Sequence, residues 1–248
     1  MRAALEGTLT RVAPSMSCRN VANTLWALAT LGWHSGDGAM RGALQVAAMR
    51  VCASMHVQQV ANSLWALATL GWSAIEMADR FDALVKALFA GGRPSDMPRV
   101  ALSQLLQAHL ASQFLGLGLV SLPASTLPIA LEAYREEARK LTVSSVQAEI
   151  GESLRRLGIA HELEHITADG PFSIDLAVVD RRIAIELDGP SQFTASKLEP
   201  IRHTRLRHRL LSAMGWHVVS IPVLEWSELR RGDQKDALIE QRLRQTAD

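Results

Sequence analysis

Apolar positions in the first hundred residues recur with helical spacing, in two nearly identical copies. Residues 21–33 read Val-Ala-Asn-Thr-Leu-Trp-Ala-Leu-Ala-Thr-Leu-Gly-Trp, and residues 60–72 repeat them 39 residues later with Ser63 for Thr24. A weaker third copy begins near Val100 and runs to Leu110, displaced by one residue. Leu25, Leu28 and Leu31 fall at i, i+3 and i+6, with Trp26, Ala29 and Trp33 beside them. Such a broad stripe suits a helix sandwiched between neighbours. Gly32 and Gly71 stand where a left-handed C-cap is wanted. A second helix, such as Met40–Met49, precedes each copy. Two helices per unit of this length is the size of an α-solenoid repeat. The pattern predicts α-helical repeats over residues 1–140, with Trp26 and Trp65 in equivalent buried positions and loops at 90–97 and 112–128.

From about residue 141 the texture changes. Thr142 to Ser145 offer N-cap residues for a helix through Arg156, with Val146, Ile150, Leu154 and Leu157 as its stripe and Gly158 as its end. Short strand-like runs follow at His161–Ile166, Phe172–Val179 and Arg182–Leu187, the last before a Gly189-Pro190 turn. A helix from about Glu199 to Met214 ends at Gly215, and a last strand, Trp216–Ile221, stops at Pro222. Residues 141–248 therefore read as an α-β-β-β-α-β domain with a mixed sheet.

Composition narrows the class. The 248 residues are 48% apolar and 21% charged, which argues against wholesale disorder. No apolar run reaches the length of a membrane span, so no membrane partner is expected. Cys18 and Cys52 are too few for a disulfide framework or a zinc site, which suits a reducing compartment. Met1 to Leu5 read as the start of a helix rather than a secretory signal. The net charge of +1 divides into +3 for residues 1–140 and −2 for residues 141–248. Bulk charge therefore does not argue for nucleic acid, and local clusters must.

Two such clusters stand out. Asp175 lies mid-strand, and Glu186 and Asp188 flank Leu187 at the end of the next strand, where a period of two points both to one face. Glu149, on the preceding helix, could join them. Carboxylates at a sheet interior are costly unless paired or metal-bound. Either they pair with Arg181, Arg182 or the basic helix, or they hold Mg²⁺ and activate water at a phosphodiester. The second cluster is basic: Arg202, His203, Arg205, Arg207, His208 and Arg209, with no acid between Glu199 and Glu225. Arg202, Arg205 and Arg209 share one helical face, a candidate phosphate-binding surface or simply a solvated one. Asn23 and Asn62, equivalent in the two repeats, either bridge local backbone or touch RNA bases. Trp216 and Trp226 read as core, with base stacking an alternative for Trp226.

Ile174 to Ala177, Ile183 to Phe193 with its Glu186-Leu187-Asp188-Gly189-Pro190-Ser191 element, Gly215-Trp216, Val218 to Pro222 and Glu225-Trp226 together resemble a RAP domain over roughly residues 145–245. The Asn-x-Leu-Trp-Ala-Leu-Ala repeats resemble the helical repeats of FAST-kinase-like and octotricopeptide-repeat proteins. The resemblance implies RNA binding in organellar RNA metabolism, with the mitochondrion expected and the chloroplast as the alternative, and roles in RNA processing, stability or translation. It also implies a PD-(D/E)XK (restriction-endonuclease-like) fold, in which Asp175 and Glu186 stand at the two metal-binding acids. Asp188 stands where the nucleases keep their lysine, and Gln192 where many relatives carry a His. The leading expectation is an RNA-binding factor, with single-stranded organellar RNA as partner. The alternatives are a Mg²⁺-dependent endoribonuclease using Asp175, Glu186 and Asp188, or a ribosome-associated or scaffolding protein.

Overall fold

The computed structural model describes residues 2–33, 38–73, 78–91, 94–138, 144–167, 171–189 and 202–245. The chain divides into two compact units, Met1–Tyr134 and Arg135–Asp248. It is mostly helical, with one four-stranded sheet in the second unit. Among the described residues, no helix is long and apolar enough to cross a membrane.

The first unit holds helices α1 (Arg2–Val12), α2 (Cys18–Thr30), α3 (Gly38–Val51), α4 (Val57–Leu70), α5 (Ala78–Gly91) and α6 (Arg99–Leu115), and α7 (Leu127–Ala138) runs across the boundary. Sequence repetition becomes structural repetition. The 3-10 turns Ala13–Ser15 and Cys52–Ser54 follow α1 and α3 at the same offset. Gly32 and Gly71 adopt φ of 71° and 70°. That left-handed turn lets Trp33 N–H reach the Leu28 carbonyl and Trp72 N–H the Leu67 carbonyl, each at 2.9 Å. The planar faces repeat as well, with Arg2 over the Trp33 ring and Arg41 over the Trp72 ring.

The helix α4 packs between α2 and α6. It buries every residue from Val60 to Leu70 except Asn62, whereas α2 buries only Val21, Ala22, Leu25, Leu28 and Ala29. The expected equivalence of the two tryptophans therefore fails. Trp65 is 8% exposed and its indole N–H donates to Gln107 Oε1 of α6 at 3.3 Å, but Trp26 is 44% exposed. The residue 39 positions before Gln107 is Ala68, whose side chain carries no acceptor.

Residues 112–128 are not all loop. The helix α6 continues to Leu115 and ends at Gly116 (φ 63°), and α7 starts at Leu127 with Pro128 in its first turn. Between them the chain folds back, because the Ser112 hydroxyl accepts from the N–H groups of Leu119 and Val120 at 2.8 and 3.0 Å. Leu117, Leu119, Val120 and Leu122 are buried as a result.

The second unit runs α8 (Ser145–Arg156), β1 (Glu162–Ile166), β2 (Ser173–Val178), β3 (Ile183–Asp188), α9 (Arg202–Ala213), β4 (His217–Pro222), α10 (Val223–Glu228) and α11 (Gly232–Arg244). The last two helices extend the expected α-β-β-β-α-β order. Ser144 caps α8 by accepting from Gln147 N–H at 3.1 Å, while Gln147 Oε1 accepts from Ser144 N–H at 2.7 Å. The sheet order is β1-β2-β3-β4. The first two pairs are antiparallel, and β3–β4 is parallel, with α9 in the crossover between them. Leu176, Val178, Ile183, Ile185, Val219 and Ile221 present one apolar face to Ile150 and Leu154 of α8, to Trp226 and to Ile239 and Leu243 of α11. Period-two alternation puts Asp175, Glu186, Asp188 and Ser220 on the other face.

Candidate functional site

Leu176 pairs with Ile185 and Ala177 with Ala184, so the same antiparallel register places Asp175 opposite Glu186. Opposed residues in an antiparallel pair share a face. Glu186 lies beside Ser220 in the parallel pair with β4. The sheet thus gathers Asp175, Glu186 and Asp188: alternation along β3 aligns the last two, and the pairing of β2 with β3 brings in the first.

The cation that meets them belongs to the chain. Arg207, on α9, holds Glu186 through both arms of its guanidinium, Nε to Oε2 at 2.8 Å and a terminal nitrogen to Oε1 at 2.9 Å. The same terminal nitrogen donates to the Ser173 carbonyl of β2, and the guanidinium lies over the Phe172 ring at 5.5 Å. Asp175 Oδ2 accepts from Leu187 N–H at 2.8 Å. Asp188, only 1% exposed, accepts from the Ser220 hydroxyl.

The electrostatics follow from burial. Desolvation pushes the Asp175 carboxyl up to about 7, helped by the neighbouring Glu186 charge and opposed by Leu187 N–H and Arg207. Burial also raises Asp188, against its bond from Ser220 and the nearby His208. Burial lowers the His208 imidazole, whose Nε2 has no hydrogen-bond partner among the described residues.

These residues do not fit Mg²⁺. A magnesium site needs carboxylate oxygens arranged around a nearly octahedral ion at close range. Here both oxygens of Glu186 serve a guanidinium, and an oxygen of Asp175 and one of Asp188 each accept a hydrogen bond. Among the described residues, no group of three His, Cys, Asp or Glu side chains is arranged to hold a metal.

Glu149 does not join the row. It accepts from the Trp226 indole at 3.0 Å and from Lys235 at 2.5 Å, because α8 packs on the apolar face with α10 and α11. Trp226 is accordingly 1% exposed, in the core rather than on a stacking surface. Of the pairings weighed from the sequence, the basic helix supplies the partner, Arg207, while Arg182 donates to the Met214 carbonyl at 3.0 Å and lies over Trp216.

The remaining candidates are spread out. Arg205 and Arg209 lie half-buried on α9, and burial pulls the Arg209 guanidinium below its usual range. Arg202 opens α9, but its side chain lies outside the described residues, as do Pro190 to Phe193 with Gln192. In the first unit Asn23 is exposed on α2. Asn62 is half-buried and accepts at 2.9 Å from Gln58, which donates at 2.9 Å to Gln104 of α6 as well. Equivalent in sequence, the two asparagines differ in surroundings.

Spacing marks Arg207 and His208 only as members of the basic cluster and does not single out Ser220. One signal was present. Arg207 stands three, four and seven residues before the buried Leu210, Leu211 and Met214, on the inward stripe of α9. A base on an apolar stripe needs a buried acid.

Comparison with known proteins bears on the second unit. Residues 185–242 match the model of the RAP domain. A 91-residue stretch is 38% identical to a RAP domain-containing protein, chloroplastic, of Oryza sativa subsp. japonica. It takes in 37% of this chain and 14% of that relative, so the chain spans about a seventh of the relative's length. Glu186, Asp188, Arg207 and Ser220 fall within the matched segment and Asp175 just before it. From β3 to α11, residues 185–242 of this chain are a RAP domain.

Proposed function

We propose that this protein binds RNA in an organelle and that its RAP domain does so without catalysis. The observation that carries this reading is the helix α9 of the RAP domain. It has no acid along its length, Arg207 spends its charge inward on Glu186, and Arg202, Arg205 and Arg209 stand on another face. Guanidiniums suit phosphate because they present forked donors at fixed geometry. The chloroplastic relative favours the chloroplast over the mitochondrion. The β1-β2-β3-α9-β4 order, with β4 parallel to β3, supports a PD-(D/E)XK-like core. The repeated caps and turns 39 residues apart support an α-solenoid in the first unit. Asn23 and Trp26, both exposed on α2 one helical turn apart, make that unit a second RNA-facing candidate beside α9. Asn62, engaged with Gln58, fits local bridging better.

An endoribonuclease reading would need the acids free for metal, and Glu186 is not. Because Arg207 already offsets the acidic row, RNA binding is expected not to depend on Mg²⁺. The test is affinity for unrelated single-stranded RNAs against salt, with and without Mg²⁺, for wild type and for Arg202, Arg205 and Arg209 all changed to Gln. Each lost phosphate contact lowers the log–log salt slope by roughly 0.7, so the triple variant should flatten it by about 2. An unchanged slope and affinity would move the RNA surface to the first unit. Wild-type affinity that ignores salt would favour a scaffold that contacts ribosomal or other proteins. Cleavage that requires Mg²⁺ and is lost in Glu186→Ala would restore the nuclease.

A further inference from the structure

Three carboxylates on one sheet face would repel one another and call for a cation. We propose that Arg207 is the permanent counter-ion of this face, its guanidinium standing where a divalent metal would have to stand, so that the acidic row anchors α9 to the sheet.

The geometry is specific. Arg207 joins α9 to two strands at once, through both oxygens of Glu186 on β3 and through the Ser173 carbonyl on β2. Phe172 supplies a ring beneath the guanidinium. The Glu186 side chain is 7% exposed and that of Arg207 is 21% exposed, so the pair is well shielded from water. A forked guanidinium matches a carboxylate edge to edge, and a compact ammonium would not reach all three acceptors. A metal entering here would have to displace a bidentate ion pair and a backbone contact together. Arg207 is therefore a positioning residue: it fixes the inward face of α9, and with it the direction in which Arg205 points. In this respect the assignment deepens the non-catalytic reading above. Because no RNA enters the test, its failure and a failure of RNA binding are read separately.

The experiment uses the full chain stripped with EDTA. Thermal unfolding is followed with and without millimolar Mg²⁺ or Mn²⁺ at matched ionic strength, and Mn²⁺ binding is read by electron paramagnetic resonance. Wild type is expected to unfold at the same temperature in every condition and to bind no Mn²⁺ at the sheet. Arg207→Met should lower Tm by roughly 10 °C in EDTA. Mn²⁺ should then bind and return part of that shift, since the carboxylates are left without a cation. Glu186→Gln combined with Arg207→Met should regain Tm in EDTA and lose the response to Mn²⁺. Four results would overturn the assignment. They are stabilisation of wild type by Mn²⁺ that Glu186→Gln abolishes, an Arg207→Met variant as stable in EDTA as wild type, one destabilised but blind to Mn²⁺, or a double variant no more stable than Arg207→Met. If Arg207→Met does not fold, wild type and the double variant still decide the matter.

Discussion

Arg207 of α9 and Glu186 of β3 meet through two contacts of 2.8 and 2.9 Å, across 21 residues of sequence. A shielded, bidentate pair of this kind is worth little against a well-packed apolar pair, yet breaking it on one side is costly. Two consequences follow: α9 is held in one orientation, and the acids opposite it lose their freedom to bind metal.

The first expectation concerns that pair. Glu186→Gln removes the carboxylate that the shielded Arg207 guanidinium grips with both arms. It should destabilise the protein by up to roughly 3–5 kcal/mol in urea unfolding, less to the extent that Asp175 and Asp188 still face the guanidinium. Replacing both residues by Met should cost far less. A loss below about 1 kcal/mol for Glu186→Gln would mean that water already screens the guanidinium.

The second concerns pH. The folded pKa of Asp175, about 7, lies above its ordinary 3.8. Between those values the folded protein holds a proton that the unfolded chain has released. Stability therefore falls as pH rises through this window, and the loss is complete above the folded value. Burial above all, then Glu186 and Glu164, pushes the value up, while Leu187 N–H and Arg207 oppose them. Asp175→Asn should match wild type near the acid end and exceed it at alkaline pH, by at most roughly 4 kcal/mol. Parallel stability–pH curves for the two proteins would assign the slope elsewhere.

The third concerns the repeat. Trp65→Ala should cost roughly 3–5 kcal/mol, as a buried indole does. Trp26→Ala should cost about 1 kcal/mol or less, because that ring is already half in water. Iodide should quench Trp26 fluorescence, as seen by difference between wild type and the variant. Equal costs would restore the equivalence that the sequence repeat suggested.

The fourth concerns Glu149. Its carboxylate satisfies the buried Trp226 indole and meets Lys235, and the bond from Lys235, then that from Trp226, holds it below the usual carboxylate range. Glu149→Ala strands the indole N–H and should cost roughly 1–3 kcal/mol. Metal response should be unaltered, since Glu149 lies on the apolar face of the sheet. A change in Mn²⁺ binding by that variant would put Glu149 in the acidic row after all.

The amino-acid sequence by itself determined the repeat, the caps that end its helices, the order of the four strands along the chain and the common face of Glu186 and Asp188; the pairing of β2 with β3 brought Asp175 to that face. Each of these rests on local periodicity or on backbone chemistry within a few residues, as at Gly32, Gly71 and Ser144. The glutamate-leucine-aspartate element, followed in order by Gly215-Trp216 and Glu225-Trp226, was likewise enough to mark the RAP domain. The two terminal helices, α10 and α11, left no comparable mark, because α10 is short and α11 shows only a narrow apolar stripe at Leu238, Ile239 and Leu243. What only the tertiary structure decided was who meets whom: Arg207 with Glu186, Glu149 with Trp226 and Lys235, Trp65 with Gln107. Those contacts join residues 21 to 86 positions apart. Trp26 and Trp65 show the reason most clearly. Their neighbours in the chain are alike, and a distant partner separates them: Trp65 donates to Gln107 of α6 and is buried, whereas Trp26 is left exposed.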